Sequence, residues 1–105
     1  MAEGQTHKTV IVKIGGALAA HEEEIAALAY DMKELIRDFR FVIIHGGGAE
    51  VSELTRKIGI EPVFKDGVRI TSSEEMPYVD KVLSGKVNKR LVRAFQKYGF
   101  DAVGL

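Results

Sequence analysis

The apolar residues in the first half of the chain follow two different patterns, short continuous runs and helical spacing. Residues 9–14 (TVIVKI) form a short, β-branched apolar run that predicts a strand buried on both faces apart from Lys13. Residues 41–44 (FVII) predict a second strand. Residues 51–58 show helical spacing and are followed by Gly59, a typical helix stop. The βαβα order predicts a parallel sheet with a right-handed crossover. The first helix is indicated by apolar residues every three or four positions: Ile25, Leu28, Ala29, Met32, Leu35, Ile36 and Phe39.

The second half of the chain begins with a hairpin pattern. Asp66-Gly67 lies between two β-rich runs within residues 62–71, and an Asp-Gly pair in this setting predicts a tight hairpin turn. Ser72 and Glu75 then have the spacing of a capping box, which indicates the start of a helix.

The last third of the chain is helical and then returns to the sheet. Helical periodicity begins at Met76, pauses at Ser84-Gly85 and ends at Gly99, and residues 101–104 (DAVG) predict a third core strand. A parallel strand without a following helix leaves one sheet face poorly covered, so the sequence looks like the first part of a larger α/β protein. The predicted fold is a three-layer α/β/α arrangement with a mainly parallel open sheet plus a β-hairpin, truncated after the third core strand.

Composition excludes several classes of function. The chain has 105 residues, a single-domain length, and its 15 basic residues balance 15 acidic ones. This neutrality argues against a nucleic-acid binder that acts through bulk charge and against a polybasic membrane-surface protein. The absence of cysteine excludes disulfides, thiolate nucleophiles and cysteine-based zinc sites. No apolar run is long enough to span a bilayer, so we expect a cytoplasmic location.

Both glycine clusters directly follow predicted strands. Gly15-Gly16 follows the first strand, and Gly46 to Gly48 follows the second and leads into a helix. Parallel neighbouring strands end at one sheet edge, where open α/β folds bind ligands. Exposed backbone N–H groups and a helix amino terminus favour an anion, and Lys13 can direct its ammonium group toward the same crevice. The pattern therefore predicts a site for phosphate or carboxylate.

Alternative interpretations of the glycines remain open at this point. The P-loop string GxxxxGK[ST] does not occur, and the dinucleotide motif GxGxxG fails because Val51 stands where its last small residue is required. Either glycine pair alone could equally form a tight turn or allow close packing. Two clusters at one sheet edge, together with Lys13, favour the anion site.

Other polar residues favour ordinary structural roles. The three histidines are scattered, and residues 21–24 (HEEE) do not match HExxH, so no metal site is predicted. His45 at a strand end favours a packing or loop role over that of a general base. The basic side chains of the last helix are expected to form a solvated face: Lys86, Lys89, Arg90 and Arg93.

Four segments together resemble a known family. In order and spacing, VIVKIGGAL, FVIIHGGGAEVSEL, GIEPVFKDGVRITSSEEM and VLSGKVNKRLV resemble the amino-terminal half of the N-acetylglutamate kinases, a branch of the amino acid kinase family. The resemblance covers nearly all of the chain from about Thr9 onward. The KIGG element is shared across the wider family, whereas the HGGG, DGVRIT and GKVNK elements point more narrowly to the acetylglutamate branch.

The resemblance implies a phosphotransferase of arginine biosynthesis. The γ-phosphoryl group of ATP would pass to the side-chain carboxylate of N-acetyl-L-glutamate and form an acyl phosphate. The matching lysine, Lys13, would stabilise charge on the transferring group, and the backbone N–H groups of Gly15 and Gly16 would hold the phosphoryl oxygens. Mg²⁺ accompanying ATP is also implied, although no metal ligand can be assigned within these 105 residues.

The resemblance also implies where the amino acid binds. Gly46 and Gly47 match the pair that receives the reacting carboxylate, and Arg69 matches the arginine that pairs with the α-carboxylate. The chemistry of the side chain agrees, because a guanidinium can bind a carboxylate bidentately.

The resemblance does not extend to a whole kinase. Family members continue into a carboxyl-terminal half that binds ATP and carries a second catalytic lysine, an organising aspartate and an asparagine that contacts substrate. We therefore expect residues 1–105 to form the substrate-binding half with the ATP-binding half absent, inactive alone and part of a cytoplasmic homodimer without nucleic-acid or membrane partners. The alternative is a non-catalytic fragment or module that binds an acidic metabolite or mediates dimerisation.

Overall fold

The two predicted strands pair side by side in parallel. The computed structural model describes residues 7–105, with β1 at Lys8–Ile14 and β2 at Phe39–His45. Lys8 lies opposite Phe39 and Ile14 lies opposite His45, so the ladder runs the full length of both strands. Between the strands lie α1 (Gly16–Ala19), α2 (Glu22–Met32) and a 3₁₀ turn (Lys33–Leu35). The parallel pairing of β1 and β2 confirms the predicted parallel sheet.

A helix and a hairpin follow the sheet. Helix α3 (Gly48–Lys57) is followed by Gly59, whose φ of +87° is the left-handed conformation expected after a helix. Strands β3 (Val63–Lys65) and β4 (Val68–Ile70) pair antiparallel around Asp66 and Gly67. Both turn residues have positive φ, 51° and 78°, as a type I′ hairpin turn requires. The Asp-Gly prediction is confirmed.

One long helical segment closes the fold. It consists of α4 (Met76–Asp80), a π-helical turn (Lys81–Val87) and α5 (Asn88–Lys97). The pause in periodicity at Ser84-Gly85 falls in the π-helical turn, because a π turn inserts an extra residue and displaces the apolar stripe around the axis. The core is formed mainly by β1, α2, α3, the π turn and α5: Ile14, Ala19, Ile25, Ala29, Met32, Val51, Val82, Val87, Leu91 and Phe95.

The helices cover only one face of the sheet in the described residues. On β1, Val12 and Ile14 face the helices, whereas Ile11 on the other face is 66% exposed. On β2, Val42 and Ile44 are 49% and 50% exposed. The parallel sheet and the hairpin of the predicted fold are present. The expected burial of β1 on both faces is not met within residues 7–105, where helices cover only one face. An apolar run shows that a strand is hydrophobic, but it does not specify which element packs against each face of that strand.

Two element boundaries also differ from the sequence prediction. Residues 101–105 form no strand, and residues 100–105 line an open cavity together with residues 39–45 of β2. The apolar stripe of the first helix ends at Met32, and Phe39 belongs to β2 because it extends the ladder with β1. The parallel pairing of β2 with β1 over seven residues outweighs the helical spacing of the last apolar residues in the predicted first helix.

Candidate functional site

The two glycine loops lie against each other at the carboxyl edge of the sheet. A Cβ placed on Gly16 would lie 3.3 Å from the backbone nitrogen of Gly47, and a Cβ on Gly46 would lie 3.8 Å from the backbone nitrogen of Gly16. Such a close approach of two main chains leaves little room for side chains. The expectation that the parallel strands bring Gly15-Gly16 and Gly46-Gly47 to one edge matches this geometry.

Gly47 is also pressed against the π-helical turn. A Cβ at this position would lie 2.8 Å from Leu83 Cδ2 and 3.1 Å from Val87 Cγ2. The Leu83 tip can rotate away, but the β-branched Val87 is stiff and fully buried. The neighbouring Gly48 differs, because nothing lies within 4 Å of its Cβ position.

We expect Gly47→Ala to destabilise the fold by about 1–3 kcal/mol, the usual range for overpacking a core. Gly48→Ala is the matched control and should leave stability unchanged or raise it slightly, since alanine is favoured over glycine inside a helix. Urea unfolding of the two variants beside wild type measures both effects. Equal stability of the two variants would show that Gly47 tolerates a side chain.

The amino terminus of α3 opens on these loops. Gly47 is its N-cap, no side chain caps it, and the first helical backbone bond runs from Val51 N–H to Gly47 carbonyl oxygen. The preceding N–H groups of the first turn therefore have no intrahelical acceptor, and the positive end of the helix dipole lies beside them. This arrangement can hold a phosphate or carboxylate oxygen.

The hairpin brings Arg69 to the same helix terminus. One terminal nitrogen, Nη2, donates to Gly48 carbonyl oxygen at 3.0 Å and to Ser52 Oγ. The guanidinium carbon lies 4.9 Å from the centre of the Phe64 ring, a cation–π contact within the hairpin. The other nitrogen, Nη1, is buried and donates no hydrogen bond to the described residues. The fork is thus fixed in place with an unused donor.

Lys13 stands one residue before the end of β1. It pairs in register with Ile44, and strand alternation places it on the sheet face that carries no helices. Its side chain is exposed and makes no hydrogen bond or ion pair with the described residues. The structure thus brings Lys13 to the same sheet edge as the glycine loops but does not fix its ammonium group.

His45 braces the second glycine loop. Its ring Nδ1 lies 3.1 Å from Gly46 carbonyl oxygen, and its Nε2 lies 3.1 Å from Asn88 Nδ2. Both contacts are satisfied when Nδ1 carries the proton and Asn88 donates to Nε2. Lys89 in turn donates to Asn88 Oδ1 at 2.9 Å. His45 therefore has the loop role that the sequence favoured, with Asn88 as a partner that the sequence did not reveal.

Arg90 contradicts the expected solvated face of the last helix. Its guanidinium forms a bidentate pair with Glu50, at 2.7 and 3.2 Å, and both side chains are only 13% exposed. Lys86 reaches the same carboxylate at 3.2 Å from an exposed position. Hydrogen bonds from Arg90 hold the pKa of the Glu50 carboxyl below its ordinary value, although partial burial opposes this shift. Helical spacing alone could not reveal this pair, because the partners lie 40 positions apart.

The Glu50 pair should make stability depend on pH. Because its pKa is lower in the folded state, the ionised carboxylate stabilises the fold above the unfolded pKa of about 4.3, and this contribution is lost as pH falls through the lower folded-state pKa. We expect Glu50→Gln to cost about 1–2 kcal/mol at pH 7 and progressively less toward pH 3. Urea unfolding of both proteins across this range measures the difference. A difference that does not vary with pH would contradict the assignment.

Two further features are absent from residues 7–105. Within this part of the chain, no three His, Asp or Glu side chains cluster as potential metal ligands. None of its helices is long and apolar enough to cross a membrane.

Taken together, a parallel βαβ unit, two touching glycine loops and an arginine hairpin define an α/β protein with a candidate anion site at one sheet edge. The chain belongs to the amino acid kinase family, whose sequence profile matches residues 8–105.

Two similar proteins are acetylglutamate kinases. An acetylglutamate kinase of Kosmotoga olearia is 42% identical over 99 residues, and one of Prochlorococcus marinus is 40% identical over 100 residues. These matches cover 93% and 94% of this chain but only 35% and 33% of the relatives. The chain therefore spans about a third of the length of the relatives that it matches.

Solved structures share the fold. The protein smu.665 from Streptococcus mutans superposes with a TM-score of 0.76 at 23% identity, over 90% of this chain and 38% of that one. N-acetylglutamate synthase from Neisseria gonorrhoeae, solved with coenzyme A and L-arginine, superposes with a TM-score of 0.63 at 22% identity, over 91% of this chain and 22% of that one. At these identities the likeness concerns the fold alone.

Proposed function

We propose that this chain supplies the amino-acid-binding half of an N-acetyl-L-glutamate kinase of arginine biosynthesis. In the proposed reaction, a side-chain carboxylate oxygen of N-acetyl-L-glutamate attacks the γ-phosphorus of ATP. The bond between that phosphorus and the oxygen bridging to the β-phosphate breaks, giving an acyl phosphate and ADP. Such transfers depend mainly on positioning and on neutralising charge, and the residues at this edge can do both.

Each residue of the edge has one part in the proposal. Backbone N–H groups of Gly15 and Gly16 hold phosphoryl oxygens, and the ammonium of Lys13 neutralises charge that develops on the transferring group. The loop at Gly46-Gly47 receives the reacting carboxylate, and Arg69 pairs with the α-carboxylate of the same substrate. ATP binds with Mg²⁺ in kinases generally, and the proposal assigns no metal ligand to this chain.

The position of Arg69 carries the proposal. Its Nη2 is anchored on Gly48 carbonyl oxygen at 3.0 Å, beside the amino terminus of α3, while its buried Nη1 has no acceptor among residues 7–105. A buried donor without an acceptor costs about 1–3 kcal/mol, and a carboxylate is the group that a guanidinium fork pairs with best. A substrate with two carboxylates suits an edge that offers both this fork and the glycine loops.

A second candidate function follows from the length of the chain. Because it spans about a third of its acetylglutamate kinase relatives, the chain alone would bind the acidic substrate or form a homodimer without transferring phosphate. This module would be cytoplasmic, like the proposed kinase. Mixing the intact gene product with N-acetyl-L-glutamate and ATP distinguishes the two functions: release of ADP supports the kinase, and binding without release of ADP supports the module.

The substrate assignment is tested on the intact gene product. With Mg²⁺ and ATP, we expect turnover of N-acetyl-L-glutamate to exceed that of aspartate, carbamate and uridylate. These compounds present a carboxylate or phosphate acceptor but lack the acylated glutamate skeleton. Equal or better turnover of any of the three would reject the assignment.

A further inference from the structure

One side chain joins the two helices that follow the glycine loops. Arg90 Nη1 donates to Ala19 carbonyl oxygen at 2.9 Å and to Glu50 Oε1 at 2.7 Å, while its Nη2 donates to Glu50 Oε2 at 3.2 Å. Ala19 is the last residue of α1, which begins at Gly16. Glu50 lies in the first turn of α3, which begins at Gly48. The guanidinium therefore connects the segment after one loop to the segment after the other.

The helix that carries Arg90 is anchored in the core. Arg90 lies on α5 beside Leu91, which is buried in the core together with Phe95 one turn further along. The Arg90 side chain is only 13% exposed, so water screens its pairing far less than that of a surface ion pair. The loops that it connects are in backbone contact, with Gly47 N 3.3 Å from the Gly16 Cβ position. A small movement of either helix would change that contact.

Arginine is needed for this geometry. Its planar fork holds a carboxylate with two parallel bonds and keeps further N–H groups for a carbonyl, whereas an ammonium is a point charge without a fixed fork. Lys86 provides the comparison within the chain: it pairs with the same Glu50 carboxylate but does not bond to Ala19. Lys86 can therefore neutralise charge without connecting the loops.

The Glu50–Arg90 pair also affects the electrostatic field at the sheet edge that carries the two glycine loops. Glu50 places a negative charge in the first turn of α3, where the helix dipole would otherwise favour an anionic ligand. Left unpaired, this charge would repel a carboxylate or phosphate there. The Arg90 guanidinium cancels it at hydrogen-bonding distance.

We propose that Arg90 is a positioning residue that holds the two glycine loops in register and neutralises Glu50, so that the edge can receive an anionic substrate. The part concerning substrate rests on the proposed function. The part concerning loop register does not, because it follows from the three hydrogen bonds of Arg90 alone.

The test compares three variants of the 105-residue chain with wild type. Arg90→Lys keeps the charge but loses the fork, Lys86→Ala is the matched control, and Glu50→Gln weakens one arm of the link only. Amide chemical shifts of Gly16 and Gly47 in ¹H–¹⁵N spectra report the loops, and calorimetric titration with N-acetyl-L-glutamate reports affinity. Thermal melting of each variant reports stability separately.

We expect Arg90→Lys to shift both glycine signals and to weaken binding about tenfold, the scale of one lost hydrogen bond to a charged group. Lys86→Ala should leave the signals in place and change affinity by less than about twofold, as an exposed ion pair predicts. Glu50→Gln should shift Gly47 more than Gly16, because the bond from Arg90 to Ala19 remains.

The outcomes separate the two proposals. Unchanged glycine signals in Arg90→Lys overturn the positioning role, whether or not the variant melts at a lower temperature. Shifted signals in a chain whose wild type does not bind N-acetyl-L-glutamate support the positioning role and count against the proposed substrate. If the glycine signals shift but the affinity is unchanged, the role of Arg90 in positioning the loops is supported and its effect on substrate binding is overturned.

Discussion

Lys13→Ala should lower kcat of the intact gene product by about 10²-fold or more, with only a modest change in KM for N-acetyl-L-glutamate. The magnitude is that of losing one charge donor oriented toward the transition state. Lys13 suits this role because its side chain is exposed and makes no hydrogen bond or ion pair within residues 7–105, so its ammonium can reach a transferring group. A donor of this kind contributes little to ground-state binding and most when charge develops on the phosphoryl oxygens.

The matched control is Lys8→Ala at the opposite end of the same strand. Lys8 is also exposed but lies six residues from the glycine edge of β1, so its replacement should leave kcat unchanged. Steady-state kinetics of both variants, with ATP and amino acid varied in turn, separate the two parameters. A large rise in KM at unchanged kcat would show that Lys13 only holds substrate.

The general layout of the site could be predicted because topology determines it. Once the two strands are parallel neighbours, Gly15-Gly16 and Gly46-Gly47 must meet at one edge, as the structure confirms. The hairpin turn at Asp66-Gly67 could be predicted for a local reason, since its backbone conformation favours these residue types.

Features that depend on distant partners could not be predicted. The polar character of Arg90 is visible in the sequence, but its pairing with Glu50, 40 positions away, depends on how α3 and α5 pack. Gly47 looks like an anion-loop glycine, yet the side chain of Val87 gives it a second, steric reason to lack a Cβ. The exposed face at Ile11 and Val42 likewise depends on which elements the fold provides.

Arg69→Ala should weaken binding of N-acetyl-L-glutamate by the 105-residue chain by about 2–4 kcal/mol. Hydrogen bonds to charged groups contribute about 1.5–3 kcal/mol each, and a bidentate pair makes two that are not fully additive. The guanidinium is already positioned by Gly48 carbonyl oxygen and Ser52 Oγ, and it stacks on Phe64, so little entropy is lost when a carboxylate arrives. Arg69→Lys should recover only part of the loss, because an ammonium lacks the planar fork.

Calorimetric titration of wild type, Arg69→Ala and Arg69→Lys measures this series. Lys65→Ala is the control, since Lys65 lies on the same hairpin, is exposed and makes no ion pair within the described residues. Its affinity should equal that of wild type, which separates loss of the guanidinium from general loss of positive charge. N-acetyl-L-glutamine, which keeps the α-carboxylate but has a neutral side-chain amide, should still lose affinity in Arg69→Ala because Arg69 is assigned to the α-carboxylate. Equal affinities for all four proteins would remove Arg69 from the site, and a loss confined to N-acetyl-L-glutamate would reassign it to the reacting carboxylate.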